Sequence, residues 1–173
     1  MIETTKRNRT ISLIKMAVMA ALVCFATFSF KVPTLNGYTH LGDSMIFISV
    51  VLLGGRKGAF AGAMGAALAD LIGGYMIWII PTFIIKYAMA VIMSFFIMKF
   101  KNEKSYNWII GAVLGAIVQI MGYTFTNYIL FGLSYAVAEF WGLIVQSIAG
   151  LICAIVIITM LVKSNLLNRL KEK

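Results

Sequence analysis

Long apolar runs alternate with short polar breaks along the whole chain. Ile11–Phe30 is apolar over 20 residues with Lys15 near its start, enough for one spanning helix. Lys31–Gly42 is a polar loop containing Pro33, Asn36, Gly37 and His40. Two shorter apolar runs, Ser44–Leu53 and Ala59–Leu71, meet at a basic glycine turn, Gly54–Gly58. Ile72–Ile80 reads as a second connecting loop, and Pro81 suits the first turn of a helix continuing to about Met98. A mainly basic break over Lys99–Asn107 precedes the longest run, Trp108–Leu130. After a short connection over Gly132–Ala138, Glu139–Val162 forms the last run, followed by a polar tail over residues 163–173. The pattern predicts six helices in a single domain over residues 1–173, with residues 1–10 as a basic arm.

Composition turns these helices into membrane spans. Of the 173 residues, 61% are hydrophobic and only 12% charged, too little polar surface for a soluble domain of this size. The expected fold is therefore an all-α integral membrane protein, a bundle of six transmembrane helices. No cleavable leader is expected, because the first apolar run continues to about Phe30 without an Ala-x-Ala site. Cys24 and Cys153 stand alone in apolar runs and read as small core residues.

The charge distribution then sets orientation. Placing both termini in the cytoplasm collects 13 of the 15 basic residues on that side, leaving only Lys31 and Lys86. The net charge of +9 is thereby assigned to topology rather than to nucleic acid.

Three acids and a lysine fall in or near the outer half. Asp43 lies 11 residues before Gly54, and Asp70 lies 12 residues after Gly58. At about 1.5 Å rise per residue, antiparallel helices would lift both carboxylates roughly 17–18 Å above the turn. Lys86, 13 residues before Lys99, stands at a similar depth. An intramembrane lysine needs a partner, and either acid would serve. An Asp70–Lys86 pair would lock helices together, line a pocket, or do both.

The fifth helix carries Gln119, Tyr123, Thr126 and Asn127 on one face, above a GxxxG formed by Gly111 and Gly115. Glu139, Gly142 and Gln146 follow a similar spacing on the sixth. A polar outer half is costly against lipid, so these groups are expected to face a cavity or to hydrogen-bond between helices. His40, Tyr75 and Trp78 in the flanking loops supply aromatic and polar groups at its mouth, although Trp78 also suits an interfacial belt and His40 a solvated position. Small residues form two further stripes. Gly58, Gly62, Gly65 and Ala69 suit internal packing on the third helix, whereas Ala17 and Ala21 suit either packing or a partner surface.

No Walker A loop, GxSxG, HExxH or Cys/His metal set is present, so neither catalysis nor a bound cofactor is expected. Six helices, the Ala17/Ala21 AxxxA and the run HLGD…LLGGRKGAFAGAMGAALADLIGGY…WIIPTFIIK resemble the S component of an energy-coupling factor (ECF) vitamin transporter. The resemblance spans essentially the whole chain and is nearest the riboflavin-type subgroup, which includes predicted pyridoxine and hydroxymethylpyrimidine carriers. It implies a cell-membrane subunit that captures a water-soluble vitamin or precursor on the outer side. It further implies a transmembrane T component and two ATPase subunits as partners. Carried onto this chain, Ala17 and Ala21 take the docking role. His40, Asp43, Tyr75, Trp78, Lys86, Gln119, Tyr123, Asn127, Glu139 and Gln146 become the binding candidates. Their mixture of aromatics, amides and charges suits vitamin B6 or a thiamine-precursor pyrimidine ahead of riboflavin. The competing readings are a small intramembrane enzyme using Asp43 and Asp70, with His40 as a further acid–base group or metal ligand, and a self-sufficient solute carrier.

Overall fold

The computed structural model describes residues 2–34, 38–100 and 107–164, with side chains described over 6–34, 38–98 and 107–164. Six α-helices follow one another: α1 (Ile2–Ser29), α2 (Gly42–Leu53), α3 (Gly55–Gly73), α4 (Ile79–Phe100), α5 (Asn107–Phe131) and α6 (Leu133–Lys163). Between α1 and α2 lies a small antiparallel hairpin of β1 (Lys31–Pro33) and β2 (Tyr38–His40), with Lys31 opposite His40 and Pro33 opposite Tyr38. The chain is a multi-pass membrane protein. Among the described residues four segments are long and apolar enough to cross a bilayer: Lys6–Ser29, Met76–Met98, Asn107–Phe131 and Leu133–Lys163. α2 has 12 residues. At about 1.5 Å per residue it reaches roughly 18 Å, well short of a hydrocarbon core about 30 Å thick. α3 is longer, but Arg56, Lys57 and Asp70 dilute its hydropathy.

Several element boundaries differ from the sequence expectation. Helix α1 starts at Ile2, so residues 2–10 of the expected basic arm continue the first helix. Lys and Arg are good helix formers, and Lys6, Arg7 and Arg9 stay exposed. The loop expected over Lys31–Gly42 contains the hairpin. The loop expected over Ile72–Ile80 shrinks because α3 runs to Gly73, a 3-10 turn covers Met76–Trp78, and α4 begins at Ile79. Gly74, at φ +81°, allows this tight reversal, and the Tyr75 N–H donates back to the Asp70 carbonyl at 2.9 Å. The expected connection over Gly132–Ala138 reduces to Gly132 alone, whose φ of +86° favours glycine. Glu139 therefore sits two turns inside α6. Most of the expected break over Lys99–Asn107 and nearly all of the tail over residues 163–173 lie outside the described residues.

Packing follows the small residues. α4 lies against α3 and α5, α1 against α3, α5 against α6, and the short α2 is enclosed by α1, α3, α4 and α6. A Cβ added at Gly58 would strike the Ser49–Val50 backbone of α2, and one at Gly65 would strike the Ala20 carbonyl of α1. At Gly115 it would come within 2.6 Å of the Met89 carbonyl oxygen on α4. The stripe of α3 and the GxxxG of α5 are thus internal contacts. Ile46, Phe47, Ile48 and Val50 of α2 form the centre of the core with Met89 and Met93 of α4. Outside, Val137, Trp141, Val145, Ile148, Ile152 and Val156 make an exposed apolar stripe along α6, as a lipid-facing helix requires.

Candidate functional site

One end of the bundle gathers the C-terminal turns of α3 and α5, the N-terminal turns of α2, α4 and α6, and the hairpin. Polar side chains there form two layers.

The deeper layer is built around Lys86, which is fully buried. Its ammonium forms an ion pair with Asp43 Oδ1 and donates to Gln119 Oε1 at 2.6 Å. It also lies 5.2 Å from the Tyr123 ring centroid, so its charge is contacted on three sides. Asp43 Oδ2 accepts from Gln119 Nε2 at 2.8 Å and from Gln146 Nε2 at 3.1 Å. Gln119 Nε2 also reaches Ser147 Oγ at 3.0 Å. Lys86 is therefore paired with Asp43, not with Asp70. The two acids share a similar depth, but α6 packs tightly on α2, where a Cβ at Gly150 would lie 2.8 Å from Asp43 Cβ. That approach delivers the Gln146 amide to Asp43 and closes the network around it.

Asp70 has a different partner. The Tyr38 hydroxyl donates to Asp70 Oδ1 at 2.6 Å. Burial and the Asp70 charge together raise the Tyr38 pKa, so the phenol stays protonated. Tyr75 packs on Tyr38 with ring centroids 4.8 Å apart.

Above the deeper layer opens a cavity with about 470 Å³ of empty space, its mouth included. Thr34, Tyr38 and His40 from the hairpin region, Asp70, Trp78, Thr82, Tyr123, Asn127, Tyr135, Glu139, Leu143 and Gln146 line it. Tyr123 donates to Thr82 Oγ1 at 3.1 Å, and its ring lies 5.9 Å from that of Trp78. The His40 N–H donates to Gln146 Oε1 at 3.3 Å, tying the hairpin to the deeper layer. Gly42 N–H donates to His40 Nδ1 at 3.0 Å, which assigns the ring proton to Nε2. Burial, with the Lys86 ammonium acting the same way, lowers the His40 pKa to about 4. The imidazole is neutral at physiological pH. Two wall atoms, Asp70 Oδ2 and Asn127 Oδ1, are buried without a hydrogen-bond partner among the described residues.

Of the residues singled out from sequence, His40, Trp78, Tyr123, Asn127, Glu139 and Gln146 line the cavity. Asp43, Lys86 and Gln119 lie beneath it, where burial leads them to satisfy one another, and Tyr75 supports Tyr38 from the side. Thr34, Tyr38, Thr82, Tyr135 and Leu143 line the cavity without having been singled out, and Asp70, weighed from sequence as a partner of Lys86, lines it without that pairing. Thr82 was discernible in principle, one helical turn before Lys86. Tyr38 was not, because its position depends on the hairpin.

Ala17 and Ala21 lie on α1, outside the lining of this cavity. Both are exposed and line an apolar groove with Ala20, Cys24, Phe25 and Phe28 of α1 and Met64, Leu68 and Ile72 of α3. Among the described residues no group of three or more His, Cys, Asp or Glu converges as a metal site.

Comparison with known proteins agrees with this architecture. The chain is 43% identical over 122 residues to an uncharacterized protein of Pyrococcus woesei, covering 70% of this chain and 80% of the relative. It is 25% identical over 168 residues to the thiamine precursor transporter HmpT of Lactococcus lactis subsp. cremoris, covering 96% of each chain. The family model for the ECF-type riboflavin transporter S component matches residues 7–163, and this multi-pass chain with its polar end cavity belongs to that transporter family.

Proposed function

We propose that the protein is the substrate-capturing subunit of an ECF-type importer for a water-soluble vitamin or vitamin precursor. The observation that carries this reading is the cavity itself. Aromatic walls alternate there with a few polar groups, the lining usual for small-molecule sites. Tyr38, Trp78, Tyr123 and Tyr135 offer faces to a flat ring, while His40, Asn127 and Glu139 offer hydrogen bonds around its edge. This mixture favours a thiamine-precursor hydroxymethylpyrimidine or vitamin B6 ahead of riboflavin, and the similarity to a thiamine precursor transporter points the same way.

In this reading all six helices sit in the bilayer with both termini cytoplasmic. The cavity end then faces outward, and Lys6, Arg7, Arg9, Lys15, Arg56, Lys57 and Lys163 gather at the opposite end. The exposed groove at Ala17 and Ala21 is the docking face for the transmembrane T component, to which two ATPases couple. Small residues there permit close helix approach.

The test is to purify the protein from cells in detergent, identify any small molecule retained by mass spectrometry, and titrate hydroxymethylpyrimidine, pyridoxine and riboflavin. A retained or tightly bound vitamin or precursor supports the reading. Well-folded protein that retains and binds none of these compounds refutes it.

A further inference from the structure

The charges around the cavity do not balance, and the imbalance bears on the ligand. Lys86 is engaged by Asp43 and Gln119, so the deeper layer is neutral as a unit. Asp70 lies outside that unit. It is within electrostatic reach of Lys86 but forms no ion pair with it. One carboxylate oxygen accepts from Tyr38 and the Thr82 hydroxyl interacts with the carboxylate, but Oδ2 is buried in the cavity wall without a well-formed hydrogen bond, and no cation pairs with it, among the described residues. Asp70 as a whole is only 4% exposed. A second carboxylate, Glu139, lines the same cavity, and no Lys or Arg does among the described residues. Lys31, at the rim, packs its ammonium over Phe28 at 3.9 Å and lies outside the lining. Leaving a buried carboxylate oxygen unpaired is costly, and the cost is relieved when a positively charged donor reaches it.

We propose that Asp70 is the ligand's charge partner, and that the cavity selects a heteroaromatic ring bearing an amino group or a protonated ring nitrogen over neutral or anionic rings. His40, whose ring centroid lies 5.5 Å from that of Tyr38, carries its ring proton on Nε2, which makes that atom a donor for a ligand acceptor. The Asn127 carbonyl oxygen in the wall adds a second acceptor for a ligand N–H. An aminopyrimidine meets this arrangement: its amino group and adjacent ring nitrogen share a protonatable, donor-rich edge, and its other ring nitrogen is an acceptor. A phosphorylated vitamin would place an anion among carboxylates and is disfavoured. The inference rests on the vitamin-capture reading and adds to it the residue and charge that set specificity.

The test uses the full chain purified in detergent and three probes: amino-bearing hydroxymethylpyrimidine, the same ring with oxo in place of amino, and riboflavin. Equilibrium binding is measured at neutral pH. The amino form should bind roughly 10- to 100-fold more tightly than the oxo form, the worth of one charge-assisted hydrogen bond. Asp70→Asn should weaken the amino form by a similar factor while leaving the oxo form nearly unchanged, erasing the preference. Monodispersity on gel filtration checks that the variant is folded. The oxo–amino comparison in the unaltered protein needs no variant and stands if Asp70→Asn fails to fold. Equal binding of both pyrimidines, tighter riboflavin binding, or a preference that survives in Asp70→Asn overturns the inference while leaving vitamin capture intact. Failure of folded protein to bind any of the probes overturns the inference and counts against vitamin capture too.

Discussion

Replacing Lys86 with Met tests the deeper layer most directly. Met matches the lysine stem in length and removes only the ammonium. Asp43 would then be a carboxylate with 1% exposure, held by two amides and no cation. Removing one partner of a buried pair costs about 3–5 kcal/mol, because the remaining charge is stranded in low dielectric. Gln119 Oε1 would also lose its donor. At about 1.4 kcal/mol per decade, the pair alone implies a shift of two to more than three orders of magnitude in the folding equilibrium. That is a large share of the roughly 5–15 kcal/mol that holds a typical domain.

The single variant should therefore give a strongly reduced monodisperse yield in detergent and a lower unfolding temperature. The partner's identity sets the rescue. Asp43→Asn combined with Lys86→Met removes both charges and lets the new amide donate to Gln119, so it should recover much of the loss. Asp70→Asn combined with Lys86→Met should recover little, because Asp70 is bonded to Tyr38 rather than to Lys86. Fluorescence-detected gel filtration across a temperature series reads all of these variants together. Better rescue by Asp70→Asn than by Asp43→Asn would refute the assignment of the pair.

Other perturbations probe separate parts of the structure. Ala17→Trp and Ala21→Trp should abolish ATP-driven uptake in cells expressing the T component and ATPases, with ligand affinity of the isolated chain nearly unchanged; loss of both would make the groove an internal packing site. Gly115→Val should destabilise the chain by about 1–3 kcal/mol, because its Cβ would sit 2.6 Å from the Met89 carbonyl oxygen and force α4 from α5, a shift measurable as a drop in unfolding temperature. The His40 pKa, lowered from 6.5 to about 4, adds a pH dependence. Between these values the unfolded chain binds the proton and the folded one does not, so stability should fall by up to about 3 kcal/mol as pH drops from about 6.5 to about 4. His40→Gln should flatten unfolding temperature over that window, and an unchanged slope would count against a buried neutral imidazole.

Helix identity was legible in the chain because apolar runs interrupted by Lys, Arg and Gly leave few alternatives in a bilayer. Helix ends were less so. Residues 2–10 form helix although their polarity resembles a tail, and the strands around Pro33 are three residues each, too short for an alternating pattern to register. The polar face of α5 was readable because Gln119, Tyr123 and Asn127 recur at helical spacing, and all three are buried. Depth along a helix was readable too, which brought Asp43, Asp70 and Lys86 to one level. The choice between the two acids was not. It depends on the angular setting of α2 and α3 about their axes, fixed by the contacts of Gly58 with α2, Gly65 with α1 and Gly150 with Asp43. Those contacts are long-range: spacing shows that Gly58 and Gly65 share a packing face, but not which helix meets each of them.

The two polar layers have opposite physical characters, and that contrast links the fold to capture. In the deeper layer the polar groups saturate one another, so it can remain dry while holding its helices in one register. Its last link is Gln146, whose amide N–H₂ is held by Asp43 and whose carbonyl accepts the backbone N–H of His40. Gln146 thereby anchors β2, and with it Tyr38, against the cavity, without contact between the ion pair and a ligand. The upper layer is less saturated: among the described residues Asp70 Oδ2 and Asn127 Oδ1 have no well-formed hydrogen bond, and a neutral imidazole keeps its donor edge. A rigid base beneath such walls reduces the side-chain ordering that binding would otherwise require. The intramembrane charges thus divide: Asp43 and Lys86 pair within the frame, and Asp70, outside that pair, lines the cavity.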